Sequence, residues 1–363
     1  MDFFKFKKLD WYIIKKFLGT YVFMIALIIS IAVVFDINEK LDKFISNNAP
    51  LQAIIFDYYV NFVPYYTNLF SPLFVFLAVI FFTSKMANNS EIIAILSNGI
   101  SFKRLMKPYM IAALVIALFS YVFGSYIIPP ANVTRLEFEN TYVNPGRRIT
   151  GDRNIQFKIG PGQVVYFGNF DMSNNTGYNF AMDHFDGLQL VSRLTSQSIV
   201  YNTNNNWTIR DYQIRSFDGL RESIRTGASL DTVMLITPND FIIARNDQQM
   251  MTSPQLRRHV ESQRARGMGN IQVFEIEYHN RLASVFSAFI LTIIGASLSA
   301  RKVKSGMGVN IGLGLALSMV YILFMTISST FAVKGGMNPM IAAWIPNFVF
   351  IGIAWVISKR APS

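Results

Sequence analysis

The sequence has no cysteine, three histidines, and charged side chains at only 15% of its 363 positions. Without cysteine there is no disulfide framework, no thiolate metal site and no cysteine nucleophile. The histidines, His184, His259 and His279, have no metal-ligand spacing. An ordinary soluble domain carries about 25% charged residues, so the charge content is low for a soluble protein. There is no Walker-type phosphate loop and no G-x-S-x-G elbow. Asp183 and Asp186 sit next to a turn, where acids usually serve the backbone rather than catalysis. These absences argue against an enzyme. The long apolar runs are almost free of ionisable residues, which an ion-coupled transporter usually places inside its spans. They also lack matching Gly/Pro breaks in the two halves.

What the chain does have is apolar residues: 52% of the total, 32 of them phenylalanine. They gather into runs at 17–35, 62–84, 108–128, 282–300, 309–333 and 340–357, each long enough to span a bilayer as a helix. Pro64 and Pro72 are expected to bend the second run, and Pro129-Pro130 to stop the third. The first run is too long for a signal peptide and has no small-residue cleavage site, so it reads as an uncleaved span. The net charge of +11 is unevenly placed. Lys and Arg crowd the N-terminus, the 85–107 loop, the 301–304 loop and Lys359-Arg360, while the intervening short connections are acidic or near neutral. This is the pattern of a topology signal rather than a nucleic-acid surface. It predicts both termini in the cytoplasm and the middle section outside.

The middle section alternates as β-structure does. Ile155, Phe157 and Ile159 alternate, 164–167 follows a Gly-Pro-Gly turn, and 180–185, 188–201 and 207–217 read as further strands between Asn/Gly turns. From Ser253-Pro254 the period changes to that of a basic helix, with Gly267 as its expected cap. The fold class is therefore an α+β membrane protein: six transmembrane helices (3+3) with an inserted extracytoplasmic β-jellyroll domain. The expected divisions are 1–130, 131–252 for the β domain, 253–280 for a helix and connector, and 281–363.

The loop 85–107 holds a short amphipathic segment between two spans. Ser90 reads as a helix cap, Glu91 follows it, Ile92, Ile93, Ile95 and Leu96 fall mostly on one face, and Gly99 ends it. Such a helix either lies in the headgroups or plugs into a soluble partner. Gly306, Gly308, Gly312 and Gly314 read as a small-residue face for helix packing, not as a phosphate loop. Asp36, Glu39, Lys40, Asp42 and Lys43 cluster at the outer end of the first run, either as ordinary interfacial charge or, for Lys40 and Lys43, as point charges that meet phosphates or carboxylates of a lipid headgroup.

In this order the features resemble the LptF/LptG permeases of lipopolysaccharide export. The matching residues are Leu9-Asp10-Trp11-Tyr12-Ile13, the segment from Ser90 to Gly99, Leu235-Ile236-Thr237-Pro238-Asn239-Asp240, and Gly308-Val309-Asn310-Ile311-Gly312. The resemblance implies an inner-membrane permease that pairs with a second six-helix permease and with two copies of a cytoplasmic ATPase. That ATPase, not this chain, would use ATP and Mg; no cofactor is expected on this chain. Ser90, Glu91, Ile92, Ile95, Leu96 and Gly99 would couple to the ATPase. Spans one and five would form lateral gates, with Ile28, Ile31, Ile311 and Leu315 on them. Lipopolysaccharide would leave the outer leaflet of the inner membrane and pass the headgroup residues Lys40 and Lys43. It would then enter the β domain past Val164, Tyr166, Ile199 and Tyr201 and reach a periplasmic jellyroll bridge protein. One departure stands out: Asp36 lies near a place where G-type members often carry a lysine. The rival reading of the same features is a non-transporting inner-membrane scaffold or sensor with a periplasmic β domain.

Overall fold

The computed structural model describes residues 7–145, 155–171, 173–219, 221–234, 236–238, 247–265, 271–301 and 307–359. The basic loop residues Lys302 and Lys304, together with Gly267, Gly306, Leu235, Asn239 and Asp240, lie outside them. The chain forms two compact units, one of Met1–Val143, Gln249–Ser253 and Glu275–Ser363, the other of Asn144–Gln248 and Pro254–Phe274.

The first unit is helical, and among the described residues six helices are long and apolar enough to cross a membrane. α1 (Lys8–Ser46) is one unbroken helix of 39 residues. At about 1.5 Å per residue it is nearly twice as long as the ~30 Å hydrocarbon layer is thick. Where it runs on past the apolar stretch, Lys40 pairs with Asp36 one turn before it. α2 (Leu51–Ala53), a π-helical turn (Ile54–Tyr59) and α3 (Val60–Leu69) then follow as one irregular rod. Pro64 is accommodated inside α3. The break falls at Phe70, after which Pro72 sits in the first turn of α4 (Ser71–Asn88), where no backbone N–H is needed.

The short α5 (Glu91–Ser97) leads to α6 (Phe102–Val122). The expected stop at Pro129-Pro130 does not occur. A π-helical turn (Phe123–Ile127) precedes the prolines, and they occupy the first turn of α7 (Ile128–Phe138). In a first turn a proline gives up no helical hydrogen bond, so the rod continues through them. α9 (Ile271–Ser299) begins well before 282, whereas α10 (Met307–Lys334) and α11 (Pro339–Lys359) follow the expected spans closely.

α4 is the inner helix of this unit: 78% of its most apolar stretch is buried, against 17% for α1 and 22% for α10. Phe17 of α1 stacks on Phe82 of α4 at 5.5 Å. α9 and α10 approach α4 through glycines. A Cβ on Gly295 would lie 3.0 Å from Val79, and one on Gly314 would lie 2.3 Å from Ile80. Buried amides cross-link the helices: Asn310 donates to Ser84 (3.2 Å), Tyr321 to Asn347 (2.9 Å), and Asn347 to the Ala283 carbonyl (2.8 Å).

The second unit is a six-stranded antiparallel sheet: β1 (Ile155–Gly160), β2 (Gln163–Asp171), β3 (Thr176–Asp186), β4 (Gln189–Tyr201), β5 (Asn206–Asp218) and β6 (Arg221–Val233). Each strand pairs with its neighbour in sequence. A jelly roll needs strands paired across long crossovers, and the described strands show a meander instead. The helix expected from Ser253-Pro254 is α8 (Ser253–Ala265).

A crease crosses this sheet. The buried positions shift parity at one level in four consecutive strands: Phe167 to Phe170, Gly177 to Phe180, Ser196 to Ile199, and Ile209 to Tyr212. Asn179 and Asp211 adopt left-handed backbone at that level (φ 52° and 51°). The Ser196 hydroxyl reaches the carbonyls of Ser198 (2.8 Å) and Arg210 and accepts from the Ser198 N–H (3.2 Å). One extra residue per strand keeps the same sheet face buried on both sides of the crease. Phe167, Phe170, Phe180, Ile199, Trp207 and Ile209 share that core. On the opposite face Arg193 grips Asp183 with two bonds of 2.7 Å, and the Arg215 fork holds the Glu222 carboxyl below its usual pKa.

Candidate functional site

The N-terminal turns of α1 form the first cluster. Asp10 is 4% exposed and receives both arms of the Arg104 guanidinium (2.7 and 2.6 Å) as well as the Lys7 backbone N–H (3.0 Å). This bidentate pair ties α1 to the start of α6. Two residues on, the Tyr12 hydroxyl donates to Glu91 (2.9 Å), which also accepts from Asn89 (3.3 Å). The Lys16 ammonium sits 5.0 Å from the centre of the Tyr12 ring.

α5 is thus gripped at its first residue by α1. Ile92 is 1% exposed and joins the helical core, with Ile95 and Leu96 packed beside it. Ile93 is 55% exposed and shares the outward side with Ala94, Ser97 and Asn98. Ser90 makes no side-chain cap; it takes left-handed backbone (φ 61°), and its N–H bonds to the Ala87 carbonyl (3.0 Å). It closes the end of α4 rather than capping α5. Gly99 follows α5 at φ 79°, a backbone that favours glycine.

The far end of α1 holds the second cluster. Lys40 pairs with Asp36 (2.7 Å) and lies 3.7 Å from Glu139. It hydrogen-bonds the Tyr58 hydroxyl and sits over the Tyr58 ring at 4.7 Å. Tyr59 donates to Asp36 (3.1 Å). Arg135 completes the cluster, bonding Glu139 (3.0 Å) and Asn132 (3.1 Å) and stacking over Tyr65 at 4.5 Å. Two cations and two carboxylates balance. Burial first, then the Asp36 charge, pushes the Tyr58 and Tyr59 phenols above their ordinary pKa, so both remain donors. Lys40 is therefore engaged internally, with 14% of its side chain exposed, while its expected companion Lys43 points outward.

Of the gate residues, Ile31 and Leu315 are exposed on α1 and α10. Ile28 and Ile311 pack against the helical core. Gly308 and Gly312 have nothing within 4 Å of a Cβ position, so only Gly314 of the described glycines in this group packs within the chain. The four β-domain residues do not share one face. Ile199 and Tyr201 belong to the core, whereas Val164 and Tyr166 alternate with the buried Val165 and Phe167 and lie on the other side.

Sequence reasoning missed the partners: Tyr12 for Glu91, Arg104 for Asp10, and Tyr58, Tyr59, Arg135 and Glu139 for Asp36 and Lys40. Most are far apart in the chain, and only the i,i+4 spacings Asp36/Lys40 and Arg135/Glu139 carried a local signal. Among the described residues no cluster of His or acidic side chains could hold a metal ion.

A family model described as lipopolysaccharide export system permease LptF/LptG matches residues 11–360. No curated protein matches the chain.

Proposed function

Because the chain belongs to the LptF/LptG family of lipopolysaccharide export permeases, we propose that it is one of two six-helix permeases in an ATP-driven exporter and that α5 is its coupling helix. As a family member it is a multi-pass inner-membrane permease component, not itself an enzyme. Both termini and α5 would face the cytoplasm, as the charge bias indicates. Two copies of a separate ATPase would supply the energy, using ATP and Mg.

The observation that carries the coupling role is the division of labour on α5. Ile92, Ile95 and Leu96 anchor it to its own bundle, Glu91 is held by Tyr12, and Ile93 is left outward with Ala94, Ser97 and Asn98. A helix clamped on one side and bare on the other transmits a push as a rigid lever. A groove on the ATPase would receive the Ile93 side. Movement of α5 would then reach α1 directly through Glu91–Tyr12.

α1 and α10 supply the lateral gates in this reading. Their mostly exposed apolar faces, and the outward Gly308 and Gly312, support close approach of helices from the second permease. Lipopolysaccharide acyl chains require such a greasy, closable cavity. The lipid would pass Lys43 at the headgroup level, with Lys40 released from Asp36 only if its ion-pair cluster opens. It would continue along the β domain to the jellyroll bridge protein.

The test is purification from native membranes in mild detergent. Recovery of a second permease and a soluble ATPase stimulated by lipopolysaccharide is expected. Ile93→Asp should cut ATPase recovery at least tenfold while the chain stays in the membrane. Unchanged ATPase recovery from that variant would remove α5 as the docking element. Recovery of the wild-type chain with envelope scaffold proteins and no ATPase would favour a scaffold or sensor.

A further inference from the structure

A groove of about 480 Å³ runs along one face of α1 and is closed on one side by Phe81 of α4. Tyr12, Lys15, Lys16, Gly19 and Phe23 line it, at the i, i+3, i+4, i+7 and i+11 positions that share a helix face. Along α1 the two lysines come first and the Phe23 ring about two turns later, with Thr20 beside Gly19 and Phe81 of α4 at the side. Gly19 lies between the lysines and Phe23 with nothing within 4 Å of its Cβ position, so the floor stays open. From Lys16 to Phe23 is roughly 10 Å along the axis, at about 1.5 Å per residue. That is a polar head beside an apolar slot.

The lysines are not used up by the protein. No described carboxylate forms an ion pair with Lys15 or Lys16. Lys16 leans on the Tyr12 ring, and the carboxylate that acts on it, Glu91, is already hydrogen-bonded to Tyr12 and Asn89. Asp10, the other nearby acid, is taken by Arg104. The groove therefore keeps a net positive charge beside an apolar slot. An anionic headgroup with attached acyl chains satisfies both halves at once; a free anion satisfies only the first.

We infer that this groove is a binding site for an anionic phospholipid of the cytoplasmic leaflet, separate from the lipopolysaccharide path. The leaflet assignment rests on the orientation proposed above; the lipid chemistry does not. Because Tyr12 contacts Lys16 on one side and Glu91 on the other, a bound headgroup would stiffen the link between α1 and α5.

The test uses the full chain purified with its native partners. Native mass spectrometry would follow retention of palmitoyl-oleoyl phosphatidylglycerol against the matching phosphatidylcholine. The expected result is at least tenfold preference for the anionic lipid. That preference should vanish in Lys15→Gln/Lys16→Gln and fall in Gly19→Phe, which fills the slot, and millimolar inorganic phosphate should not displace the lipid. Equal retention of both lipids, or full retention by both variants, would overturn the site. Stoichiometric displacement by lipopolysaccharide would also overturn it, by making the groove part of the transport path.

Orientation is read separately. The chain has no native cysteine, so Lys15→Cys gives a single thiol. A membrane-impermeant maleimide should label it only after spheroplasts are permeabilised. Labelling of intact spheroplasts would overturn the leaflet and the orientation while leaving the lipid-selectivity result to stand or fall by itself.

Discussion

Lys40 shows how a residue's role depends on neighbours far away in the chain. Its ammonium is shared among Asp36, Glu139 and Tyr58. Lys40→Met keeps the stem but leaves two largely buried carboxylates short of one cation. Removing one partner of a buried pair costs roughly 3 kcal/mol. The variant should melt clearly below wild type in a detergent thermal-shift assay, whereas Lys43→Met, at an exposed site, should melt with wild type. Equal melting of both would mean the cluster adds nothing to the fold. At the opposite end of α1, Tyr12→Phe removes the donor to Glu91 but keeps the ring beneath Lys16. It should lower lipopolysaccharide-stimulated ATPase activity several-fold with ATPase recovery intact. Loss of the ATPase itself would instead make Tyr12 a docking residue.

Elements are shaped here by irregularities that local pattern does not announce. The π-helical turn before Pro129 lets a helix pass two prolines, and the crease lets one sheet face stay buried across a parity shift. At the crease, Asp211 has φ 51°, so a β-branched side chain is penalised by about 1–2 kcal/mol. Asp211→Val should make the β domain more sensitive to thermal proteolysis, and Asp211→Gly should not. In the helical unit, Gly314→Leu would drive a side chain into Ile80, which lies 2.3 Å from the Cβ position. It should destabilise the α4–α10 packing and lower membrane yield, while Gly312→Leu, facing open space, should be tolerated by the isolated chain. Equal yields would show that α10 is free to shift away from α4.

For the whole molecule, the decisive fact is that α4 is enclosed while α1 and α10 are mostly bare. A photo-crosslinking residue at Leu315 should capture a second membrane protein or a lipid, because that position is exposed. The same probe at Val79, fully buried, should capture nothing outside the chain. Capture at both would mean the bundle opens far more than its packing implies.

Hydropathy and charge by themselves determined the six spans, the inserted β domain and five of the six strands. These features follow from composition and period, which act over a few residues at a time. β6 was not legible, because its sequence RESIRTGASLDTV is mostly polar and exposed along an edge. Strand content there comes from pairing with β5, a long-range hydrogen-bond ladder, with the Asp218-Gly219 turn as the local clue. The α5 segment was visible as an amphipathic helix, yet which isoleucine faces inward was decided by the bundle it packs on. Ile92 was claimed by the core and Ile93 left out. Likewise the sequence alone showed acids and lysines at the end of α1. Only the tertiary structure brought Tyr58, Arg135 and Glu139 to them, because charge neutralisation in a buried site is settled between segments that meet only on folding.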